Sequence, residues 1–361
     1  MNGTADRQAL FAGTRSIAPA LSFDCQRLEH YLREHLPGFS GPVQAEQFKG
    51  GQSNPTYFVK ARSGRYVLRR KPPGPLLPSA HAIEREYRVT KSLHSVGFPV
   101  ARPLLLCEEA DVIGTAFYVM DFVEGRVFWE PHAPGISANE RKELFDSLNE
   151  TIARLHMIDF AALGLGDYGR PQGYVARQLK RWSEQYRASQ TQVIEEMDRL
   201  IEWLPKILPE TSQAALVHGD FRLDNCIVDA AEPRVVAVLD WELSTIGDPI
   251  ADFTYQLMQW QMPADRQGGG VGSLLGHSQD APGLPSMEEY VAKYCERCGL
   301  SGIPDLNIYL AYNFFRLAAI FQGIAGRVRD GTAANPHAAL MGRQVKPMAV
   351  KAWEFVEEAK A

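Results

Sequence analysis

The segment at residues 218–225, which reads HGDFRLDN, combines residue types that could transfer a phosphoryl group. Asp220 stands five residues before Asn225, and Asp240 follows directly after the apolar run VVAVL. Phosphoryl transfer from ATP needs a carboxylate that accepts or orients the proton of the attacking hydroxyl. It also needs oxygen ligands for the magnesium ion that bridges the nucleotide phosphates. We therefore predict that Asp220 is the catalytic base and that Asn225 and Asp240 are metal ligands.

A predicted β-hairpin explains how Asn225 and Asp240 could meet. Residues 226–228 are typical of a strand, residues 230–233 of a turn, and residues 235–239 of a returning strand. Because a hairpin returns the end of its second strand to the start of its first, Asp240 should lie near Asn225. A His-Gly-Asp tripeptide alone could be ordinary turn chemistry. The full combination matches the kinase catalytic-loop pattern, with Gly219 in place of its arginine.

On these residues the chain resembles the aminoglycoside phosphotransferase and choline kinase group, small-molecule kinases with a protein-kinase-like fold. It is most similar to the phosphotransferase domains that are fused to, or encoded beside, acyl-CoA dehydrogenases. Three segments carry this closer resemblance: LRRKPPG at 68–74, HGDFRLDN at 218–225 and LDWELSTIGDPIADF at 239–253. The resemblance runs from about Phe23 to the C-terminus. It implies Mg²⁺ as the cofactor, ATP as the co-substrate, and association with an acyl-CoA dehydrogenase.

The order of predicted elements indicates an α+β, protein-kinase-like bilobal fold. Residues 1–22 are expected to form a mobile N-terminal arm, residues 23–122 a nucleotide-binding N-lobe, and residues 123–361 a C-lobe. The C-lobe would contain the catalytic loop, the metal site and the acceptor-binding helices. The N-lobe would hold a five-stranded antiparallel sheet and one helix. The strand-like runs are 43–48, 56–61, 65–69, 104–107 and 116–122, and the helix is 82–96. The C-lobe is predicted to be mainly helical, and Ser137 with Glu140 forms a capping box at its first helix.

The N-lobe segment FKGGQSNPTYFV is predicted to cover the nucleotide phosphates. Gly50 and Gly51 would allow close approach of the backbone, and Ser53 and Asn54 can donate hydrogen bonds. Two glycines in a hairpin are often only a turn. The strands and the helix that follow in kinase order favour the phosphate-binding interpretation.

The strand that carries the phosphate-binding lysine of kinases, in a V-A-I-K pattern, reads Y-V-L-R here and ends at Arg69. Arginine can neutralise phosphates, but its planar guanidinium group has a different reach and orientation from the ammonium group of lysine. Alternation along a strand puts Arg69 and Lys71 on one face and Arg70 on the other. We assign Arg69 to the phosphates and Glu86 as its partner, with Glu84 as the competing partner.

Further site residues follow from the resemblance. Residues 118–125, YVMDFVEG, fit the hinge between the lobes, where the carbonyl of Asp121 and the amide of Val123 would meet the adenine. Arg222 lies two residues after the base and is predicted to stabilise the transferred phosphate. Asp252 is expected to brace the catalytic loop by accepting its backbone amides, and His218 to support the loop with a hydrogen bond.

The acceptor is expected to be a small molecule, because the interval between Asp240 and the next helix leaves no room for a peptide-binding segment. Polycationic aminoglycosides would need an acidic pocket, whereas acids and bases are roughly balanced in the last hundred residues. Arg177, Arg181 and Arg316 lie among aromatic residues and are predicted to bind an anionic acceptor. The resemblance indicates a hydroxyacyl-CoA, of the 4-hydroxyacyl-CoA type.

Two alternatives remain open. One is a kinase for aminoglycoside or choline-like acceptors. The other is a nucleotide-binding pseudokinase that partners an acyl-CoA dehydrogenase; the missing strand lysine favours it, and the intact Asp220, Asn225 and Asp240 disfavour it.

Composition excludes some partners and indicates a compartment. A net charge of −5 disfavours nucleic-acid binding, which needs a basic surface. No uninterrupted apolar segment is expected to span a bilayer, and the N-terminal sequence is not typical of a secretory signal. The five cysteines do not suggest a disulfide framework, so we expect a cytoplasmic protein.

Overall fold

The structure is a computed structural model that describes residue 8 and residues 11–50, 54–74, 81–209, 213–263, 272–277, 279–332 and 338–360. Two apolar clusters lie at its centre. The smaller cluster lies under the N-terminal sheet and includes Leu28, Leu32 and Tyr57. The larger cluster fills the helical part of the chain.

The N-lobe is built on one antiparallel sheet. Its strands are β1 (Thr14–Arg15), β2 (Gln44–Phe48), β3 (Thr56–Ala61), β4 (Gly64–Arg70), β5 (Pro103–Cys107) and β6 (Phe117–Asp121). Among the described residues, the strands pair in the order β1-β2-β3-β4-β6-β5. The five predicted strands are present, and none of their ends is shifted by more than one residue. The sheet therefore has six described strands rather than the expected five.

The additional strand comes from the segment that was expected to be a mobile arm. Thr14 pairs with Phe48 and Arg15 with Gln47 along the edge of β2. Farther along, the hydroxyl of Tyr57 donates to the carbonyl of Leu21 at 2.8 Å. The described part of the arm thus packs on the sheet. A two-residue strand is too short to produce a periodic sequence pattern, which is why the sequence did not reveal it.

Three described helices accompany the sheet: α1 (Cys25–His35), α2 (Ile83–Ser95) and the short α3 (Ala110–Ile113). Asp24 is the N-cap of helix α1, and its carboxylate accepts the amides of Gln26 and Arg27. Helix α2 faces the other lobe, because Val89 and Leu93 belong to the larger apolar cluster. It therefore connects the sheet to the C-lobe core.

The C-lobe is mainly helical, as predicted. Its described helices are α4 (Ala138–His156), α5 (Tyr174–Ser189), α6 (Glu195–Trp203), α7 (Pro249–Gln261), α8 (Met287–Cys298), α9 (Leu306–Arg329), α10 (Ala338–Gly342) and α11 (Val345–Lys360). Helix α4 begins with the predicted capping box of Ser137 and Glu140. Two short strand pairs position the site: β7 (Ala215–Val217) with β10 (Thr245–Gly247), and β8 (Cys226–Val228) with β9 (Val235–Val238).

Helix α9 is 24 residues long and, by length and composition alone, could cross a membrane. Polar residues interrupt it at Asn313, Arg316 and Gln322, so it is not an uninterrupted apolar segment of the kind that the sequence analysis considered. In addition, 78% of its most apolar 18-residue window is buried inside the protein. Phe314 and Phe315 are fully buried in the larger apolar cluster. Such burial is typical of the core helix of a folded domain.

Candidate active site

The catalytic loop follows β7, and side chains hold it through hydrogen bonds to its backbone. The carboxylate of Asp252, in the first turn of α7, accepts the amides of His218 and Gly219, each at 2.7 Å. Nδ1 of His218 accepts the amide of Asp220 at 3.2 Å, so Nε2 must carry the proton that it donates to the carbonyl of Leu239 at 2.8 Å. These contacts fix the course of the chain just before Asp220.

Asp252 is almost fully buried, yet it is kept ionised. Burial alone would raise the pKa of this carboxyl group, but the contacts of His156 and the amide of His218 outweigh burial and hold its pKa below the usual range. Nε2 of His156 lies 3.2 Å from the carboxylate. Because the carboxylate stays ionised, its oxygens remain hydrogen-bond acceptors for the loop.

The β8–β9 hairpin brings Asn225 and Asp240 together. Cys226 pairs with Val238, and the amide of Leu239 donates to the carbonyl of Asn225 at 2.8 Å. Nδ2 of Asn225 donates to the carbonyl of Asp220 at 2.9 Å and to its carboxylate at 3.1 Å. Neither acceptor has a proton to give, so the nitrogen of the amide must face Asp220. Its oxygen is then the atom available to a cation.

This donor set fits a magnesium ion that protein and nucleotide share. Amide and carboxylate oxygens are the ligands that Mg²⁺ prefers, and the ion usually keeps positions for phosphate oxygens and water. The side chain of Asp240 is 30% exposed, so a ligand can reach it. Within the described ranges, no group of three or more His, Cys, Asp or Glu could hold a metal by itself. Asn225 and Asp240 could hold the ion together with phosphate oxygens and water.

Arg69 links the two lobes at this point. Its Nε lies 2.8 Å from the carboxylate of Glu86, and its Nη2 lies 2.6 Å from the carboxylate of Asp240. Burial alone would lower the pKa of Arg69, but these two carboxylates raise it, so the guanidinium stays charged. The competing Glu84 instead lies 2.9 Å from Lys71. Of the two glutamates, Glu86 is the one that contacts Arg69.

Glu86 contacts the predicted Asn54 and also Tyr118, and behind Asn54 lies His81; the sequence assigned no site role to Tyr118 or His81. Glu86 accepts hydrogen bonds from Nδ2 of Asn54 at 2.8 Å and from the hydroxyl of Tyr118 at 3.3 Å. Nδ1 of His81 lies 2.9 Å from Oδ1 of Asn54. Tyr118 stands opposite Arg69 in the β4–β6 pair, a register that could not be read from the sequence.

The predicted phosphate-binding loop is only partly described. Gly51 and Ser53 lie outside the described residues. Asn54 is fully buried and contacts Glu86 and His81, so the structure places its side chain inside the N-lobe rather than on an open loop. The side chain of Asn54 is buried because the residue lies where the chain enters β3.

Arg222 is paired with carboxylates in this structure. Its Nε lies 3.1 Å from Asp220, and its Nη2 lies 3.3 Å from Asp224. These two charges raise the pKa of Arg222 against the effect of burial.

Glu242, which the sequence analysis also missed, lies 3.7 Å from Nη2 of Arg69. The carboxylates around the base are thus engaged by arginines.

The predicted hinge lies at the end of β6. The amide of Asp121 donates to the carbonyl of Arg102 at 2.9 Å, and its carboxylate accepts from Nε of Arg102 at 2.9 Å. Val123 follows two residues later, where the chain leaves the sheet for the C-lobe. Their contacts with adenine stay a prediction.

The three predicted acceptor-binding arginines do not meet on one surface. Arg177 and Arg181 are exposed on α5, where Arg177 donates to the carbonyl of Arg170 and Arg181 lies 5.3 Å from the ring centroid of Trp182. Arg316 is buried on α9, and its Nη2 donates to the carbonyl of Gly219 at 2.8 Å. It therefore lies under the catalytic loop.

An apolar side chain lies beside the base. Leu243 is 43% exposed, and a Cβ atom at Gly219 would come within 2.9 Å of that of Leu243. The φ of Gly219 is +86°, so this close approach and the backbone conformation both require glycine. Leu243 is thus an exposed apolar residue next to Gly219, which the motif alone did not indicate.

Known proteins similar to this chain indicate its family. Residues 44–290 match the family described as the phosphotransferase enzyme family. The chain is 45% identical over 342 residues to acyl-CoA dehydrogenase family member 11 of Rattus norvegicus. That match covers 93% of this chain but 44% of the rat protein, so the chain spans less than half the length of this relative.

Solved structures show the same fold. A crystal structure from Ralstonia eutropha JMP134, provisionally described as an aminoglycoside phosphotransferase, is 45% identical, with a TM-score of 0.84. The match covers 94% of this chain and 100% of that one. Choline kinase from Cryptosporidium parvum Iowa II shares the fold at 10% identity, with a TM-score of 0.63 and coverage of 93% and 97%. The predicted protein-kinase-like fold is therefore confirmed, and the chain belongs to the phosphotransferase enzyme family.

Proposed function

We propose that this phosphotransferase is an ATP- and Mg²⁺-dependent kinase that phosphorylates the hydroxyl of a hydroxyacyl-CoA, of the 4-hydroxyacyl-CoA type. The observation that carries the kinase part is the convergence of Asp220, Asn225 and Asp240 on one loop and hairpin. Arg69 reaches Asp240 from the other lobe at 2.6 Å. A base, two metal ligands and a phosphate-binding cation thus surround one position.

The roles of the residues follow from their chemistry. Asp220 accepts the proton of the acceptor hydroxyl while the hydroxyl oxygen bonds to the γ-phosphorus of ATP. The bond from that phosphorus to the β–γ bridging oxygen breaks, and ADP leaves. A magnesium ion on Asn225 and Asp240 would neutralise phosphate charge. Arg222 would stabilise charge on the transferred group.

The nucleotide would contact the N-lobe and the hinge. Arg69 would exchange its contact with Asp240 for phosphate oxygens while Glu86 keeps it oriented. The carbonyl of Asp121 and the amide of Val123 would hold the adenine. The predicted roles of Gly51 and Ser53 concern the loop above the phosphates and belong to the same proposal.

The acceptor proposal rests on charge and on the apolar surface beside the base. A polycationic sugar needs free carboxylates, whereas Asp224 lies beside Arg222 and Glu242 beside Arg69. The exposed Leu243 suits an acyl chain. Arg177 and Arg181 are exposed on α5, where they could meet the phosphates of coenzyme A.

The relative's name supports the same class. The rat protein is named as an acyl-CoA dehydrogenase family member, so we propose acyl-CoA metabolism and association with such a dehydrogenase for this chain. The five cysteines are free in the structure, and a cytoplasmic location belongs to the same proposal.

One observation favours the pseudokinase alternative. The ion pair of Arg69 with Asp240 engages a predicted metal ligand, and a protein that never binds magnesium could keep this pair permanently. Binding of ATP with equal affinity in the presence and absence of Mg²⁺, without transfer to any acceptor, would support this alternative.

Measurement of ADP formation with a panel of acceptors tests the proposal. The panel contains 4-hydroxyacyl-CoAs, the matching free hydroxy acids, amino alcohols and aminoglycosides, and mass spectrometry identifies the phosphorylated product. We expect faster turnover with the thioester than with the free acid, and none with kanamycin. Equal rates with acid and thioester would remove coenzyme A from the proposal. Turnover confined to amino alcohols or amino sugars would move the protein to the rival acceptor class.

A further inference from the structure

Gly219, the residue before the catalytic base, is held at both of its backbone polar groups. Its amide donates to Asp252 at 2.7 Å, and its carbonyl accepts from Nη2 of Arg316 at 2.8 Å. Glycine at a φ of +86° has no side chain to limit its rotation. Contacts from neighbouring helices must therefore fix its conformation, and with it the direction of Asp220.

Arg316 is itself held by aromatic rings. Its guanidinium carbon lies 4.8 Å from the ring centroid of Tyr255 and 6.0 Å from that of Trp182. Cations over aromatic faces at such distances are stabilised, and more so when they are desolvated. Arg316 is 6% exposed, so it has little access to solvent or to a ligand outside the loop.

Tyr255 connects the same cluster to the base. Its ring contacts the guanidinium of Arg316, and its phenol interacts with the charge of Asp220. Burial and the charge of Asp220 raise the pKa of this phenol, so it stays protonated and is a donor group beside the base. Burial alone would lower the pKa of Arg316, but the neighbouring tyrosines and Asp220 raise it, so the cation persists.

We propose that Arg316 is a positioning residue for phosphoryl transfer: with Tyr255 it fixes the carbonyl of Gly219 and the carboxylate of Asp220, and it does not contact the acceptor. This inference rests on the proposed function, because the rate of transfer is its readout. It replaces the acceptor-binding role that the sequence indicated for Arg316. Asp252 holds the amide of Gly219 from α7, and Arg316 holds its carbonyl from α9.

The test separates turnover from binding. Arg316→Met should lower kcat about 10- to 100-fold, since a small misplacement of a reacting group has effects of this size. The KM values for ATP and for the acceptor should change less than about threefold, because neither ligand loses a contact. Arg316→Lys should recover part of kcat, since the charge returns without the planar fork. Tyr255→Phe should lower kcat about tenfold.

Arg70 offers a matched control. It is 2% exposed, donates to the carbonyl of Ile113 at 3.2 Å, and lies 5.6 Å from the ring centroid of Phe23. It is thus a buried arginine of the same kind, on the opposite side of the N-lobe sheet from Arg69. Arg70→Met should lower the melting temperature but leave kcat per folded molecule within about twofold of wild type.

Turnover is measured with the best acceptor of the panel and also as slow hydrolysis of ATP without acceptor. A raised KM for the acceptor at unchanged kcat in Arg316→Met would make Arg316 an acceptor-binding residue and overturn the inference. An equal loss of kcat in Arg70→Met would also overturn it, because the effect would then be general. If Arg316→Met does not fold, the other two variants decide. Wild-type kcat in both Arg316→Lys and Tyr255→Phe would also overturn the inference. If the wild-type protein does not phosphorylate hydroxyacyl-CoA, the proposed acceptor is wrong, but the role of Arg316 is still tested with the other acceptors and with ATP hydrolysis.

Discussion

The two halves of the site are held by different interactions. On the C-lobe side, Asp252 and His218 fix the catalytic loop through hydrogen bonds to its backbone. On the N-lobe side, Arg69 connects Glu86 and Asp240 through contacts between charged side chains. Backbone hydrogen bonds define one course of the chain, whereas an ion pair can exchange partners when a more highly charged ligand arrives. We therefore expect a preformed catalytic loop and a nucleotide side that rearranges.

Loss of a metal ligand should give the largest effect. Asp240 has a φ of +62°, a conformation that asparagine tolerates better than alanine, so Asp240→Asn is the suitable variant. It should lower kcat at least about 100-fold, because even residues that only orient metal ligands typically contribute 10- to 100-fold. Extra magnesium should restore little. Titration of turnover with Mg²⁺ checks this.

Asp229→Asn is the matched control for that variant. Asp229 lies in the turn of the same hairpin and accepts the amides of Ala231 and Glu232, which asparagine can also do. It should keep wild-type turnover. Near-normal activity in Asp240→Asn would remove Asp240 from the metal site.

Replacement of the linking arginine should give the next largest effect. Arg69→Ala leaves the carboxylates of Glu86 and Asp240 without their cation, so the free energy of unfolding should fall by about 3 kcal/mol. The KM for ATP should rise and kcat should fall together, by about 10-fold or more in kcat/KM. Arg69→Lys should recover part of both. Steady-state kinetics and urea unfolding measure the two effects.

Lys71→Ala is the control for this position. Lys71 pairs with Glu84 at the surface, so its loss should change the stability by less than about 1 kcal/mol and leave the KM for ATP unaltered. If Lys71→Ala raises the KM for ATP and lowers kcat while Arg69→Ala behaves like wild type, the phosphate-binding cation is Lys71.

Acid should weaken the support that Asp252 gives to the catalytic loop. The pKa of Asp252 is lower in the folded protein than its ordinary value of about 3.9, so its contribution to stability is present above that pH. The contribution is lost as the pH falls through the lower folded value. Asp252→Asn should therefore cost about 3 kcal/mol at pH 7 and show a weaker further loss in acid. Urea unfolding of wild type and Asp252→Asn across this pH range checks the direction of the effect. If the free energy of unfolding falls equally in the two proteins as the pH falls, the prediction is wrong.

The exposed cations should give the smallest effect. Arg181→Gln should raise the KM for hydroxyacyl-CoA about two- to fivefold, as expected for a solvent-screened charge. The KM for ATP should not change. Arg187→Gln, an exposed arginine on a different face of the same helix, is the control. Equal effects of the two variants would mean that only the overall charge of α5 matters.

Local sequence patterns predicted much of this site, because its residues lie on one short loop and one hairpin. The spacing from Asp220 to Asn225 and the apolar strand before Asp240 determine their proximity without knowledge of the rest of the fold. Strand alternation likewise separated Arg69 and Lys71 from Arg70. The partner of Arg69 could be narrowed to two glutamates, since both lie in the first turn of α2.

Interactions between distant elements could not be predicted in the same way. Helix α9 is apolar around most of its circumference, so its periodicity does not show that Arg316 faces the catalytic loop. The contact of Asn54 with Glu86 depends on how β3 meets α2. The strand at Thr14 exists because the edge of β2 offers it hydrogen bonds. Each of these features depends on tertiary packing.

Binding and transfer measured side by side in wild type and Asp220→Asn test the central claim most directly. Calorimetry measures the affinity for Mg-ATP, and quenched reactions measure phosphorylated 4-hydroxyacyl-CoA. We predict equal affinities, because Asn225 and Asp240 are unchanged, and a transfer rate about 10²- to 10⁴-fold lower in the variant. Transfer by Asp220→Asn at a rate near that of wild type would contradict the assignment of Asp220 as the base. Equal binding with no transfer by either protein would contradict the assignment of this chain as an active kinase for this acceptor.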